Sequence, residues 1–225
     1  MTVLSGEWSL VNGGHAPVGT EKWRLEETSE QISWNSTIDK KVPFPHKEEL
    51  ILTAIPRKWR VKNIKISSVG EGRNEAFEGT LDSGRFAFTV SRAWNAEQYS
   101  IPVSESTEFD YLSLIFNTVT FHRLRLRRGE SRVIEVAYIF PVALQDSFRT
   151  RMVRQSYQRL RDEPVDVPAG HFPSAKHYVY RNLDSGWTSS IWTDNLEIVL
   201  RYEKLCELLS YNRTETESNA CSVPL

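Results

Sequence analysis

The chain has 225 residues, of which 40% are hydrophobic and 25% charged, with a formal net charge of −1. That is room for one large domain or two small ones, and the composition excludes a disordered or low-complexity chain. The charge balance gives no global field to recruit nucleic acid or an anionic lipid, and no apolar run approaches the roughly eighteen residues of a transmembrane helix.

The amino terminus, MTVLSGEWSL, has no basic segment followed by an apolar one, so the expected location is cytoplasmic. From there period-two alternation recurs almost throughout, which is the signal of half-buried strands. Ile32, Trp34 and Ile38 share one face of a segment whose other face carries Ser33, Asn35 and Thr37. Between Trp59 and Val69 the phase changes: Trp59 and Val61 face one way, then Ile64 and Ile66 take over after Asn63. A β-bulge explains such a slip, and bulges bend sheets toward closure.

Asp82-Ser83-Gly84 is a hairpin turn leading into Phe86, Phe88 and Val90. A second slip separates Val119–Phe121 from Leu124–Leu126, read here as another curved strand. Ile134, Val136, Tyr138 and Phe140 line one face after the turn at Arg128-Gly129-Glu130, and Ile198, Leu200 and Tyr202 do so near the end. Helical signals are few: about two turns over 203–211, with Leu205, Leu208 and Leu209 as a stripe, and a short helix or loop over 143–153. The expected fold is therefore all-β, a long antiparallel sheet curled into a barrel or half-barrel with at most one or two short helices. Residues 1–211 form one domain in this reading, and 212–225, rich in Thr, Glu, Ser and Asn, form a disordered tail.

Several chemistries leave no trace. No glycine-rich phosphate loop, zinc-spaced Cys/His set or serine nucleophile elbow is present. The two cysteines, Cys206 and Cys221, are confined to the last residues and cannot staple the body of the fold. His171 and His177 would stand about 20 Å apart on a strand, too far to chelate one metal. No cofactor is expected. The arginines at 123, 125, 127 and 128 read first as a solvated strand face.

Of the seven tryptophans, eight tyrosines and ten phenylalanines some must form the core, the first reading for any one of them, yet the tryptophans fall on nearly every expected strand. A barrel walled by large rings with a few polar groups is a receptacle for a lipid or polycyclic ligand. Trp59 and Trp192 are candidate wall residues, and Tyr138, Tyr157, Tyr178 and Trp192 candidate donors from an apolar wall.

The most specific pattern runs from Asp110 to Leu160: Asp110-Tyr111-Leu112, Asn117-Thr118, Arg123-Leu124-Arg125-Leu126, Gly129-Glu130, a strand from Ile134 to Phe140 ending at Pro141, and Gln155-Ser156-Tyr157. This resembles the bacterial glycolipid-binding family, with departures at Thr120, where a proline is usual, and at His122, where a second arginine is common. The resemblance implies a spiral β-roll, similar to lipoprotein-carrier folds, around an open cavity for a lipid or glycolipid. It further implies that Arg123, Asn117, Gln155 and Tyr157 contact the polar part of the ligand. The alternative is that Arg123, Asp110 and Gln155 form a structural network pinning the roll.

Two functions fit these residues. One is binding of a hydrophobic or amphipathic small molecule in an aromatic-lined cavity. The other is a cofactor-independent enzyme, a cyclase, isomerase or other tailoring step on a lipophilic metabolite, with His122, His177, Asp110, Glu135 and Tyr138 as candidate acid–base groups. The sequence leaves the ligand and the oligomeric state open.

Overall fold

The computed structural model describes residues 1–12, 16–42, 45–70, 73–141 and 148–215. The amino-terminal alternation folds into an up-and-down meander: β1 (Thr2–Asn12), β2 (Ala16–Glu27), β3 (Ile32–Lys40), β4 (His46–Ile55), β5 (Arg60–Gly70), β6 (Arg73–Asp82), β7 (Arg85–Arg92) and β8 (Asn95–Pro102). A short β9 (Glu108–Asp110) and one helix, α1 (Ile115–Leu124), follow. The second half comprises β10 (Ser131–Pro141), β11 (Phe148–Arg159), β12 (Glu163–Val167), β13 (Gly170–Asn182), β14 (Thr188–Thr193), β15 (Val199–Tyr202) and β16 (Cys206–Glu215).

Both halves belong to one sheet. From β8 the path runs back to β1, crosses to β16, and continues through β15, β14, β13, β11 and β10 to β9, with β12 paired to β13. All neighbours are antiparallel except β9 and β10. The two ends do not pair, so the sheet is a curled, unclosed one. The curl is visible in side-chain contacts. Phe148 of β11 packs edge-on against Phe77 of β6 at 5.9 Å, and Phe109 of β9 lies 4.6 Å from Phe86 of β7.

Most local expectations hold. Ile32, Trp34 and Ile38 are fully buried on one face of β3. Ser83 and Gly84 both take left-handed φ (46° and 79°), as a two-residue hairpin turn matched to the strand twist requires. The phase change after Trp59 is a bulge: Ala54 pairs with Val61 and Thr53 with Asn63, so Lys62 is the extra residue.

Others are corrected. The segment expected as a second bulged strand is α1, whose end is marked by Arg125 in the left-handed conformation with its N–H bonded to the Phe121 carbonyl at 3.0 Å. The helix sits inside the curl. Phe121 stacks on Tyr178 at 4.1 Å, Phe116 meets Tyr111, and Trp59 lies flat on His122. Almost every helical position is therefore buried, including Asn117, Thr118 and Thr120. No polar face marks a 3.6-residue period, and Ile115, Thr118, Val119 and Thr120 are β-branched, which locally favours strand.

The helix expected over 203–211 is instead a turn followed by β16, which continues through residues 212–215 beside β1. Of 143–153, residues 148–153 belong to β11. The rest lies outside the described residues, as do 216–225 and Cys221. On β10 the predicted face carries buried Ile134 and Val136 but half-buried Tyr138 and Phe140, while Ala137 and Ile139 on the other face are fully buried.

The core centres on a stack of Trp8, Trp23 and Trp34 from three adjacent strands, with ring centroids 4.9 Å apart for the first pair and 5.3 Å for Trp23 and Trp34. Gly6 stands opposite Trp23, and the indole occupies the space a side chain would fill. A Cβ at Gly6 would lie 2.4 Å from the Ser210 carbonyl oxygen and 2.7 Å from the Trp23 ring. Gly6→Ala should therefore cost about 2 kcal/mol or more through overpacking against backbone, read as a lower urea midpoint with an unchanged slope.

Candidate functional site

Inside the curl, between the ends of β1–β3 and the β13–β14 and β15–β16 turns, lies a cavity of about 440 Å³, within the range of roughly 300–1,000 Å³ of small-molecule sites. Its polar part comes from β9, α1 and β11. Asp110 stands beside Tyr138 in the parallel β9–β10 register. Gln155 donates from Nε2 to Asp110 Oδ2 at 2.8 Å, and Tyr157 donates its hydroxyl to Gln155 Oε1 at 2.9 Å. The Asn117 side chain approaches the same Tyr157 hydroxyl from the helix. Asp110, Asn117, Tyr138 and Gln155 all line the cavity, with Tyr157 buried behind them.

The apolar part is aromatic. Tyr180, Trp187 and Tyr202 form a wall, with Trp187 edge-on to Tyr180 at 5.4 Å and tilted on Tyr202 at 5.9 Å. Leu112 and Leu205 stand at the lip with Lys40 and Arg151. The Arg151 guanidinium lies 5.8 Å from the centre of the Tyr138 ring.

Burial raises the Asp110 carboxyl to about 6, against the lowering effect of its hydrogen bonds from Gln155 and the Tyr111 N–H. The phenols of Tyr138, Tyr157, Tyr180 and Tyr202 are all pushed upward, chiefly by burial. The site thus presents neutral hydroxyls and one carboxyl that exchanges its proton near neutrality.

The remaining sequence candidates lie elsewhere. Arg123 is spent on structure: its Nε bonds Glu108 Oε1 at 2.6 Å and its Nη2 the Glu105 carbonyl at 2.8 Å, tying the end of α1 to β9. Trp59 stacks on His122 with centroids 3.6 Å apart. His122 Nε2 meets the Leu196 carbonyl, and burial lowers its pKa to about 4. Glu135 is exposed, opposite Arg154.

His177 and Trp192 stack at 4.6 Å on the outer face, away from the cavity. There Ser190 Oγ lies 3.0 Å from His177 Nε2 and Glu163 Oε1 3.2 Å from its Nδ1, the connectivity of a nucleophilic triad. The Ser190 N–H, however, donates to Glu203 Oε2 at 3.3 Å. A carboxylate in that position opposes a developing oxyanion rather than stabilising it, so this cluster reads as sheet glue.

Sequence reasoning missed Tyr180, Trp187 and Tyr202 as a shared wall. Tyr180 has the same parity as Tyr178, which was a signal, but which parity faces inward is set by the curl.

The family model described as "Putative glycolipid-binding" matches residues 13–207, and the chain belongs to that family. A DUF1089-family protein of Pseudomonas aeruginosa, known from a crystal structure, is similar in fold, with a TM-score of 0.56 and 20% identity over 81% of this chain and 88% of that one. No curated protein matches the chain. Among the described residues no helix is long and apolar enough to cross a membrane.

Proposed function

We propose that the cavity binds an amphipathic, glycolipid-like small molecule, its apolar portion against Tyr180, Trp187 and Tyr202 and its hydroxyl-bearing head on Asp110, Gln155 and Asn117. The observation that carries this reading is the chain of hydrogen bonds from Asp110 through Gln155 to Tyr157 on one side of an otherwise aromatic cavity. Such a chain fixes the amide of Gln155, leaving its second N–H and the Asp110 carboxyl in fixed orientation for hydroxyl groups.

Native mass spectrometry of protein purified from its own host tests the reading: a bound mass lost on delipidation is expected, and a clean apo mass under gentle conditions would overturn it. Gln155→Leu strands the Asp110 and Tyr157 partners, so occupancy should fall at least about tenfold with unchanged circular dichroism.

A second reading is favoured by one observation. Asp110 and Tyr138 are adjacent in the cavity, and both hold their protons more tightly than usual. In a tailoring enzyme acting on the same molecule, Asp110 would be the proton-transfer group. Asp110→Asn would then abolish turnover of the copurified compound while retaining it bound; chemical stability of that compound with the native protein would remove this reading.

A further inference from the structure

The net charge of −1 conceals a segregated surface. Cross-strand pairing places Tyr202, Cys206, Leu10, Gly19, Lys40, His46, Gly70 and Arg73 at one level across eight neighbouring strands. That level therefore marks one rim of the curled sheet, and Leu10, Val11, Lys40, Trp187 and Leu205 place the cavity mouth at the same rim. Arg92 pairs with Glu75, so the β7–β8 tip lies at this rim, and Phe148 at the start of β11 packs on Phe77 of the neighbouring β6.

Large apolar side chains are exposed on this rim, several of them at turn and loop positions. Trp94, at the tip of the β7–β8 hairpin, is 90% exposed, and Val69, beside the β5–β6 turn, is 58% exposed. Val42 follows in the β3–β4 connection, and Leu112, Trp187 and Leu205 stand exposed at the lip of the cavity itself. Basic residues lie among them: Lys41, Lys47, Arg92, Arg149, Arg151 and Lys204 are all solvent-facing. Among the described residues, their acidic neighbours include Asp39, Glu97, Asp184 and Glu203: Glu97 accepts from Asn95 and Tyr99, Asp184 from the Arg154 N–H and Glu203 from that of Ser190, while Glu75, opposite Arg92, is buried.

The opposite rim differs. It is also basic, with Arg57, Lys58, Arg127 and Arg128, but its exposed large apolar residues are Met1, Ile55 and Val133, with no exposed tryptophan among them.

We propose that the cavity-bearing rim docks on an anionic lipid bilayer, inserting Trp94, Val69, Val42 and the apolar lip while its lysines and arginines meet the headgroups. Tryptophan at a chain tip partitions into the headgroup boundary, and basic side chains around apolar ones supply the second attraction that stable peripheral binding needs. Docked this way, the cavity mouth faces the bilayer, so an amphipathic ligand passes between membrane and protein without crossing bulk water. The direction of transfer rests on the proposed ligand class; the docking itself does not.

Co-sedimentation with vesicles tests it. The protein should sediment with phosphatidylglycerol–phosphatidylcholine vesicles and far less with phosphatidylcholine alone. The pair Trp94→Ser and Val69→Ser, and separately the pair Lys41→Glu and Lys47→Glu, should each weaken binding at least about tenfold. All four positions are exposed, so thermal midpoints should not move. Arg127→Glu with Arg128→Glu, on the opposite rim, should bind as the native chain does.

Absence of sedimentation with anionic vesicles overturns the proposal, as does loss of binding from the opposite-rim pair. So does size-exclusion evidence that the Trp94 and Val69 changes dissolve a dimer, which would make the rim a self-association surface. Gln155→Leu separates this proposal from the ligand reading: it should lose copurified ligand yet keep full vesicle binding.

Discussion

Replacing Trp8 by alanine is expected to destabilise the protein by about 3–5 kcal/mol, the range for emptying a fully buried indole site. Trp8 is 0% exposed and stacks on both Trp23 and Trp34. Its Nε1 also donates to the Val199 carbonyl at 2.7 Å, a bond that joins the first strand to the carboxy-terminal strands. The variant loses dispersion and apolar burial and leaves that carbonyl without its donor, and rigid strands on either side cannot collapse into the space. The check is equilibrium urea unfolding followed by far-ultraviolet circular dichroism. A midpoint shift worth less than about 1 kcal/mol would mean that the stack is not a centre of stability.

Glu21→Gln is expected to act in the opposite sense, and only at high pH. Glu21 is fully buried on β2, accepting from the Ser36 and Ser113 hydroxyls and from the Leu114 N–H. Burial lifts its carboxyl from the ordinary 4.5 to about 7, with the nearby Glu48 adding a smaller push and the three hydrogen bonds pulling back. The folded state therefore holds a proton that the unfolded chain releases. The stability this gives is fully present below pH 4.5 and is lost as pH rises through 7, a swing of about 3 kcal/mol.

Glutamine keeps acceptance from the serines without the charge, so the two proteins should be nearly equal near about pH 5, with the variant more stable by about 2–3 kcal/mol near about pH 8.5. Asp110, with the same sign, and His122, with the opposite one, contribute to both proteins and cancel in the difference between the two curves. A flat difference across this range would show that Glu21 is ionised throughout.

The fold was legible wherever one face of a strand is dry and the other wet. The buried row of Ile32, Trp34 and Ile38, the Ser83-Gly84 turn and the bulge at Lys62 are all local consequences of a period of two and of its interruption. Where both faces are buried, that signal vanishes. Helix α1 is wrapped on all sides, so it has no amphipathic stripe, and its β-branched residues argued for strand. The leucines of β16 gave the reverse error: Leu205 and Leu208 are three apart, as on a helix, yet Leu205 lies in the turn and Leu208 is buried within the strand.

The candidate site shows the same division. Asn117, Gln155 and Tyr157 were legible as a group through the family pattern of one segment, and the structure brings them together with Asp110 at the cavity. Arg123 belonged to the same segment but lies at the end of α1, where Glu108 holds it. His177 and Trp192 were misread because the curl turns Tyr178 and Tyr180 inward and their neighbours outward.

By itself, then, the sequence determined an all-β chain and the bulge at Lys62, since these follow from local periodicity, while the polar group at the cavity was legible only through the resemblance to the family. Only the tertiary structure decided which parity of each strand faces inward, that Tyr180, Trp187 and Tyr202 share one wall, and that exposed apolar turns surround the mouth. Those facts depend on the curl of a sheet in which β1 pairs with β16 about two hundred residues away, and no local preference encodes which face that curl buries.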